Sequence, residues 1–179
     1  MIVGSIARRY AKALFSLADE QGQVEQWSSG LEGLGRALAS SPELRETLAS
    51  PLFEKDQRRA VVGELAKALG LAETVRNFLL LLADRDRLAY LPAIVQNFRD
   101  LADARLGRIR ARVTSAVPLT PEEAKRIAER LAQAEKAQVI VETAVDPALL
   151  GGVVAQVGSL VYDGSVRSQL EELRRAMKH

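Results

Sequence analysis

The chain has 179 residues, 47% of them apolar and 27% charged, with 25 Lys plus Arg against 23 Asp plus Glu for a net charge of +2. That profile fits one large or two small folded domains and argues against extensive disorder and against a strongly basic nucleic-acid binder. Having no Cys excludes disulfides, thiolate chemistry and cysteine metal centres, and with His179 as the single His, imidazole catalysis and His-ligated metals lose their usual carrier.

The opening segment is amphipathic and carries Arg8 and Arg9, yet it has no signal-type apolar run or cleavage site and continues into Asp19 and Glu20. It is expected to be a structural helix, Ser5 to Glu20, with two adjacent stripes at helical spacing: Ile6, Tyr10, Ala13 and Leu17, and Ala7, Ala11, Leu14 and Ala18. Val24, Trp27, Leu31, Leu34 and Leu38 define a second helix. Gly30, Gly33 and Gly35 within it suggest close helix packing or a weak turn, because each costs about 1 kcal/mol relative to Ala. Trp27 is expected in the core, with a role at a protein contact as the alternative, and Tyr10 carries the same ambiguity.

Ser41-Pro42 starts a short third helix to Ala49, Ser50-Pro51 breaks the chain, and a fourth helix through Val61, Val62, Leu65 and Leu69 ends at Gly70. Glu73 to Asp86 makes the fifth, apolar on every side through Phe78 to Leu82 and therefore expected to be surrounded by other helices. The sixth runs from Leu91 or Pro92 to Leu106, and Gly107 ends it. The longest strongly apolar run, Phe78 to Ala83, is six residues, where a membrane-spanning helix needs roughly 20.

After Gly107 the period changes to two, with Ile109, Ala111, Val113, Ser115 and Val117 on one face of a strand and Arg108, Arg110, Arg112 and Thr114 on the other. Thr120-Pro121-Glu122-Glu123 is a helix start with a capping box. The helix reaches Ala134, and a strand from Val139 to Val145 follows. Asp146-Pro147 caps a single turn ended by Gly151-Gly152. Two apolar runs flank Gly158-Ser159 in a hairpin, Asp163-Gly164 turns the chain, and a last helix runs from Ser165 to about Met177. The expected fold is mainly α: a six-helix bundle over residues 1–106, with 14 basic and 14 acidic residues, followed by a small β-α-β-β-α domain over 107–179, with 11 against 9.

No catalytic constellation emerges. Gly151-Gly152 lacks the spacing of a phosphate loop. Asp84 and Asp86 have no third carboxylate in calcium-loop register and are read as solvated, and Glu122 and Glu123 sit where a helix N-terminus already favours acids. The run Arg105 to Arg112 holds four arginines and no acid. With no aromatic residue on the strand to stack a base, a solvated face or a contact for an acidic partner helix is the better reading, and RNA phosphate the alternative. The residues thus describe a non-catalytic adaptor, with no cofactor and no metal expected.

The ordered segments ARRYAKALF, VEQW, RNFLLLLADRDRLAYLPAIVQNF, RVTSAVPLT and VDPALLGGVVAQVGSLVYDGSVRSQLEELR resemble the delta subunit of the rotary F-type ATP synthase, whose mitochondrial relative is the oligomycin-sensitivity-conferring protein. The resemblance spans essentially the whole chain. It implies a stator subunit, present once in a large hetero-oligomer, that joins the catalytic alpha/beta head to the peripheral-stalk b subunits and resists torque during proton-driven ATP synthesis. It also implies a peripheral place on the cytoplasmic face of a bacterial cell membrane.

The implied partners are an N-terminal helix of an alpha subunit and the C-terminal ends of the b subunits, with no nucleic acid and no direct membrane span. The alpha helix would lie in a groove between helices one and five, mapping to Ile6, Tyr10, Ala13, Leu17, Asn77 and Leu81, with the other face of either helix as the alternative. The b side would map to Gly151, Gly152, Asp163, Gly164, Ser165 and Arg167, with the glycines and Asp163 as turn formers and Arg167 as the contact. Glu135-Lys136 and Ser159 depart from the family pattern, which has a Gly-Lys turn and an Asp there. An RNA-associated protein using Arg108, Arg110 and Arg112 is the alternative function.

Overall fold

A computed structural model describes residues 2–50 and 53–176; Pro51 and Met177, which figured in the expected breaks and helix ends, lie outside them. Among the described residues the chain forms eight α-helices, one 3-10 turn and four strands, in two compact units, Met1–Leu106 and Gly107–His179.

The first unit is all-helical: α1 Ile2–Glu20, α2 Val24–Ser40, α3 Pro42–Ala49, α4 Lys55–Ala68, α5 Glu73–Asp84 and α6 Leu91–Leu106. Of the two stripes on α1, the core takes Ala7, Ala11, Leu14 and Ala18. Three alanines among those four let α1 approach α6 closely, where Ile94, Phe98 and Ala102 are also buried. Phe15 and Phe98 add an edge-to-face ring contact at 6.0 Å. Trp27 is 2% exposed, and its indole N–H donates to Gln23 Oε1 at 2.8 Å, so it is a core residue. A Cβ at Gly30 would lie 2.9 Å from Leu71 Cδ2, which accounts for one of the three α2 glycines by close packing.

Several local expectations are corrected. A 3-10 turn, Leu88–Tyr90, precedes α6; its buried Leu88 hides in a short polar stretch that has no periodicity to read. Asp84 and Asp86 are solvent-exposed as expected, and they also make ion pairs that the sequence did not show: Arg59 Nη1 reaches Asp84 Oδ1 at 2.5 Å, and the buried Arg58 reaches Asp86 Oδ1 at 2.6 Å with Lys55 Nζ 3.7 Å from Oδ2. These pairs tie α4 to the end of α5, where Asp86 has a φ of 54°. Nor is α5 surrounded: Val75, Leu79, Leu82 and Ala83 are buried, but Leu81 faces out.

The second unit is a four-stranded sheet, β1 Arg108–Ser115, β2 Gln138–Val145, β3 Gly152–Val157 and β4 Leu160–Ser165, with α7 Pro121–Glu135 and α8 Val166–Ala176. The order is β2-β1-β3-β4, with β1 and β2 parallel across the α7 connection and the other pairs antiparallel. Ile127 and Leu131 of α7 pack on Ala111, Val113, Val139, Ala155 and Val157. Thr120 caps α7 reciprocally: its hydroxyl accepts from Glu123 N–H at 3.3 Å while its own N–H donates to Glu123 Oε2 at 2.9 Å, and that N–H, followed by the Thr120 hydroxyl donating to the same oxygen at 2.9 Å, holds the Glu123 carboxyl below the usual range. β1 stops at Ser115, leaving Val117 exposed. Asp163-Gly164 is strand rather than turn, because Gly164 pairs opposite Val153 in the β3–β4 ladder.

Candidate functional site

On α1, Ile6 and Tyr10 are half-buried while Ala13 and Leu17 are exposed, on the flank of the helix beside its core stripe. On α5, Asn77 and Leu81 are exposed one turn apart. The two helices meet through Tyr10, whose ring packs edge-on against Phe78, centroids 6.1 Å apart. The Tyr10 hydroxyl accepts from Arg87 Nη1, just beyond α5, and the guanidinium carbon lies 5.4 Å from the ring centre. Tyr10 is therefore fixed on three sides.

Leu17 is 42% exposed and Leu81 44%. Among the described residues of the six helices, they are the large aliphatic or aromatic side chains left in solvent. One sits on each helix, in a bundle that buries its other described large aliphatic side chains well. Phe78 and Arg87 were not singled out from the sequence. Phe78 is one of six consecutive apolar residues, and Arg87 is one of two arginines in an acidic and basic stretch, so neither carries a distinguishing signal.

In the second unit, five of the six proposed b-side residues build the β3–β4–α8 corner. Gly152, at φ 78°, brings its backbone so near β4 that a Cβ would lie 2.3 Å from Gly164 O. Gly151 would set a Cβ 3.1 Å from Val166 Cγ2, and one at Gly164 would lie 3.2 Å from Val153 O. Asp163 braces the start of α8, accepting from Ser165 N–H at 2.9 Å and the Ser168 hydroxyl at 2.7 Å, while Ser165 itself is the cap. The Ser168 bond first, and then the Ser165 N–H, hold that carboxyl below its ordinary value. Ser165 is buried and accepts from Ser168 N–H at 3.3 Å. Arg167 is exposed.

Around this corner are exposed apolar side chains that sequence reasoning did not pick out: Leu160 and Tyr162 on one face of the edge strand and Val161 on the other, Val166 and Leu170 on α8, and Leu150. The Tyr162 hydroxyl donates to Glu135 Oε1 at 2.7 Å, which raises its pKa and ties β4 to the end of α7. Among the described residues, no group of three or more His, Cys, Asp and Glu is arranged to hold a metal ion, and no helix is long and apolar enough to cross a membrane.

The family model described as ATP synthase delta (OSCP) subunit matches residues 6–177. The chain is 63% identical over 178 residues to an "ATP synthase subunit delta" of Anaeromyxobacter dehalogenans (strain 2CP-C), covering 99% of each chain. It is 46% identical over 180 residues to the protein of the same description in Myxococcus xanthus (strain DK1622), again covering 99% of each. Among solved structures, a chain of the Toxoplasma gondii mitochondrial ATP synthase hexamer shares the fold, with a TM-score of 0.69, 20% identity and 97% of each chain covered.

Proposed function

The chain belongs to the ATP synthase delta (OSCP) subunit family, and from that premise we propose that it joins the catalytic alpha/beta head to the peripheral-stalk b subunits and resists rotational torque during proton-driven ATP synthesis. As a member of that family it is a structural subunit and not an enzyme. One copy serves a large hetero-oligomer, placed peripherally on the cytoplasmic face of a bacterial cell membrane.

The observation that carries this reading is the pair Leu17 and Leu81, large apolar side chains left exposed on α1 and α5. An amphipathic helix laid between them buries both, as in helix-in-groove recognition, and Tyr10 with Phe78 forms the floor where the two elements meet. The occupant is the N-terminal helix of an alpha subunit. The b subunits bind the opposite functional end of the chain in sequence, over the exposed side chains of β4 and α8, where Val161 is 60% exposed. Gly151, Gly152, Asp163, Gly164 and Ser165 shape that corner, and Arg167 contributes a charge beside it. Anchoring of this kind requires tight, stiff contacts and no bond chemistry.

Reconstitution of delta-depleted synthase tests the assignment. The wild-type chain should restore proton-driven ATP synthesis, whereas Leu17→Glu/Leu81→Glu should restore little while ATP hydrolysis by the detached head is unchanged. Full restoration by the double variant would remove the groove from the account.

A further inference from the structure

One end of the α1–α5 groove is basic. The pairs Phe15–Phe98 and Asp19–Arg105 run α6 parallel to α1, so the start of α6 at Leu91 lies beside the first half of α1. α5 ends just before α6 and therefore brings its C-terminal turn to the same half, where Arg87 meets Tyr10. That half of α1 carries no acid, the first being Asp19. Arg9 is exposed and precedes Ala13 by one helical turn; Arg85, which closes α5, is exposed and follows Leu81 by one turn. Neither arginine is in an ion pair among the described residues. The acids on either side of Arg85 are committed to α4, Asp84 to Arg59 and Asp86 to Arg58 and Lys55. The C-terminal dipole of α5 favours a cation at Arg85, but no helix end accounts for Arg9. Glu20, exposed three residues beyond Leu17, marks the other end of the groove.

We propose that Arg9 and Arg85 are specificity-determining residues of this groove: they admit an amphipathic helix that carries carboxylates at one end of its apolar stripe, and they seat that end between them. The inference rests on the groove proposed above and adds which helix it takes. Exposure of Leu17 and Leu81 selects only for an apolar face, which any amphipathic helix offers. Two unpaired cations, one on each wall at one end, select among such helices by charge and fix the direction in which one lies. They also repel a helix with lysine at that end. Arg87 takes no part, because its guanidinium is already placed on the Tyr10 ring. The alpha-subunit helix proposed as occupant is thereby required to bear acids at the end that meets Arg9 and Arg85.

The test is calorimetry at about 0.15 M salt with the full chain and three helical peptides that share one apolar stripe and carry Glu, Gln or Lys at one end. Two exposed ion pairs of ordinary strength together amount to about fivefold in affinity. The Glu peptide should therefore bind about fivefold tighter than the Gln peptide, and the Lys peptide more weakly than both. Arg9→Gln/Arg85→Gln should bring the Glu peptide down to the Gln peptide while leaving the affinity of the Gln peptide unchanged. A nitroxide at the Glu-bearing end should broaden the backbone NMR signals of Arg9 and Arg85 before that of Glu20.

Both arginines are exposed, so the variant should melt with the wild type, and the ranking of peptides on the wild-type chain stands without it. Equal affinity for the three peptides, with binding still lost on Leu17→Glu/Leu81→Glu, would overturn the charge selection and leave the groove standing. Charge selection that survives Arg9→Gln/Arg85→Gln would contradict the assignment to these two residues. No binding of any peptide would remove the groove and this inference with it.

Discussion

The Tyr10 hydroxyl accepts a hydrogen bond from Arg87, whose guanidinium carbon stands 5.4 Å from the centre of the same ring. One aromatic side chain on α1 thereby fastens the segment just beyond α5, 77 residues away in sequence. Tyr10→Phe keeps the ring edge-on against Phe78 and removes only the hydroxyl, so it should cost about 0.5–1.5 kcal/mol of stability, read by denaturant unfolding. Tyr10→Asp is a less clean probe of the groove, because it sets a carboxylate beside Arg87. An unchanged midpoint for Tyr10→Phe would mean that the hydroxyl is equally well served by water.

Acid should weaken the first unit through Asp86. The hydrogen bond from Arg58, with the nearby Lys55 charge, holds this carboxyl below its ordinary value. A group lowered on folding contributes stability above its unfolded pKa of about 3.9 and loses it as pH falls through the lower folded value. Urea titrations at pH 7 and at about pH 3 should therefore show wild type falling further than Asp86→Asn. Asn tolerates the same φ, so the variant isolates the charge. Parallel losses in the two proteins would exclude this ion pair as a source of the pH dependence.

Lys136 ends α7 in the left-handed region, at φ 53°. A side chain in that region carries a cost that glycine escapes. Lys136→Gly should raise the stability of the second unit by about 0.5–1 kcal/mol, net of the added freedom of the unfolded chain. A lower melting temperature would show that the lysine side chain makes a compensating contact.

Gly152→Ala should have the opposite sign and a larger size. Its φ of 78° and the 2.3 Å approach of a Cβ to Gly164 O leave no room for a methyl group without moving β3 off β4. A loss of about 2 kcal/mol or more is expected from combined strain and overpacking. Retention of native stability would contradict the close strand approach.

Helix periods, the Ser41 and Thr120 caps and the change from a period of 3.6 to 2 at Gly107 were legible because each depends on neighbours in sequence. What was not legible depends on tertiary competition. Ile6, Tyr10, Ala13 and Leu17 form as regular a stripe as Ala7, Ala11, Leu14 and Ala18, and only packing against α6 decides that the smaller side chains go inside. The apolar run of α5 concealed Leu81 for the same reason. Asp163-Gly164 has turn composition, but the ladder with β3 holds it extended. The groove residues came from resemblance, whereas Phe78 and Arg87, which fix Tyr10, needed three dimensions.

The most direct measurement is a calorimetric titration of the full chain with a synthetic peptide of the alpha-subunit N-terminus, alongside Leu17→Glu and Leu81→Glu. Calorimetry suits it because Trp27, at 2% exposure, is too well buried to be relied on as a reporter. Both leucines are exposed, so the variants should keep wild-type melting temperatures within the small effects usual for surface changes. The account predicts saturable one-to-one binding to wild type and at least about tenfold weaker binding to each variant, roughly 1.4 kcal/mol apiece. Undiminished binding to both folded variants, or no binding to wild type, would contradict it.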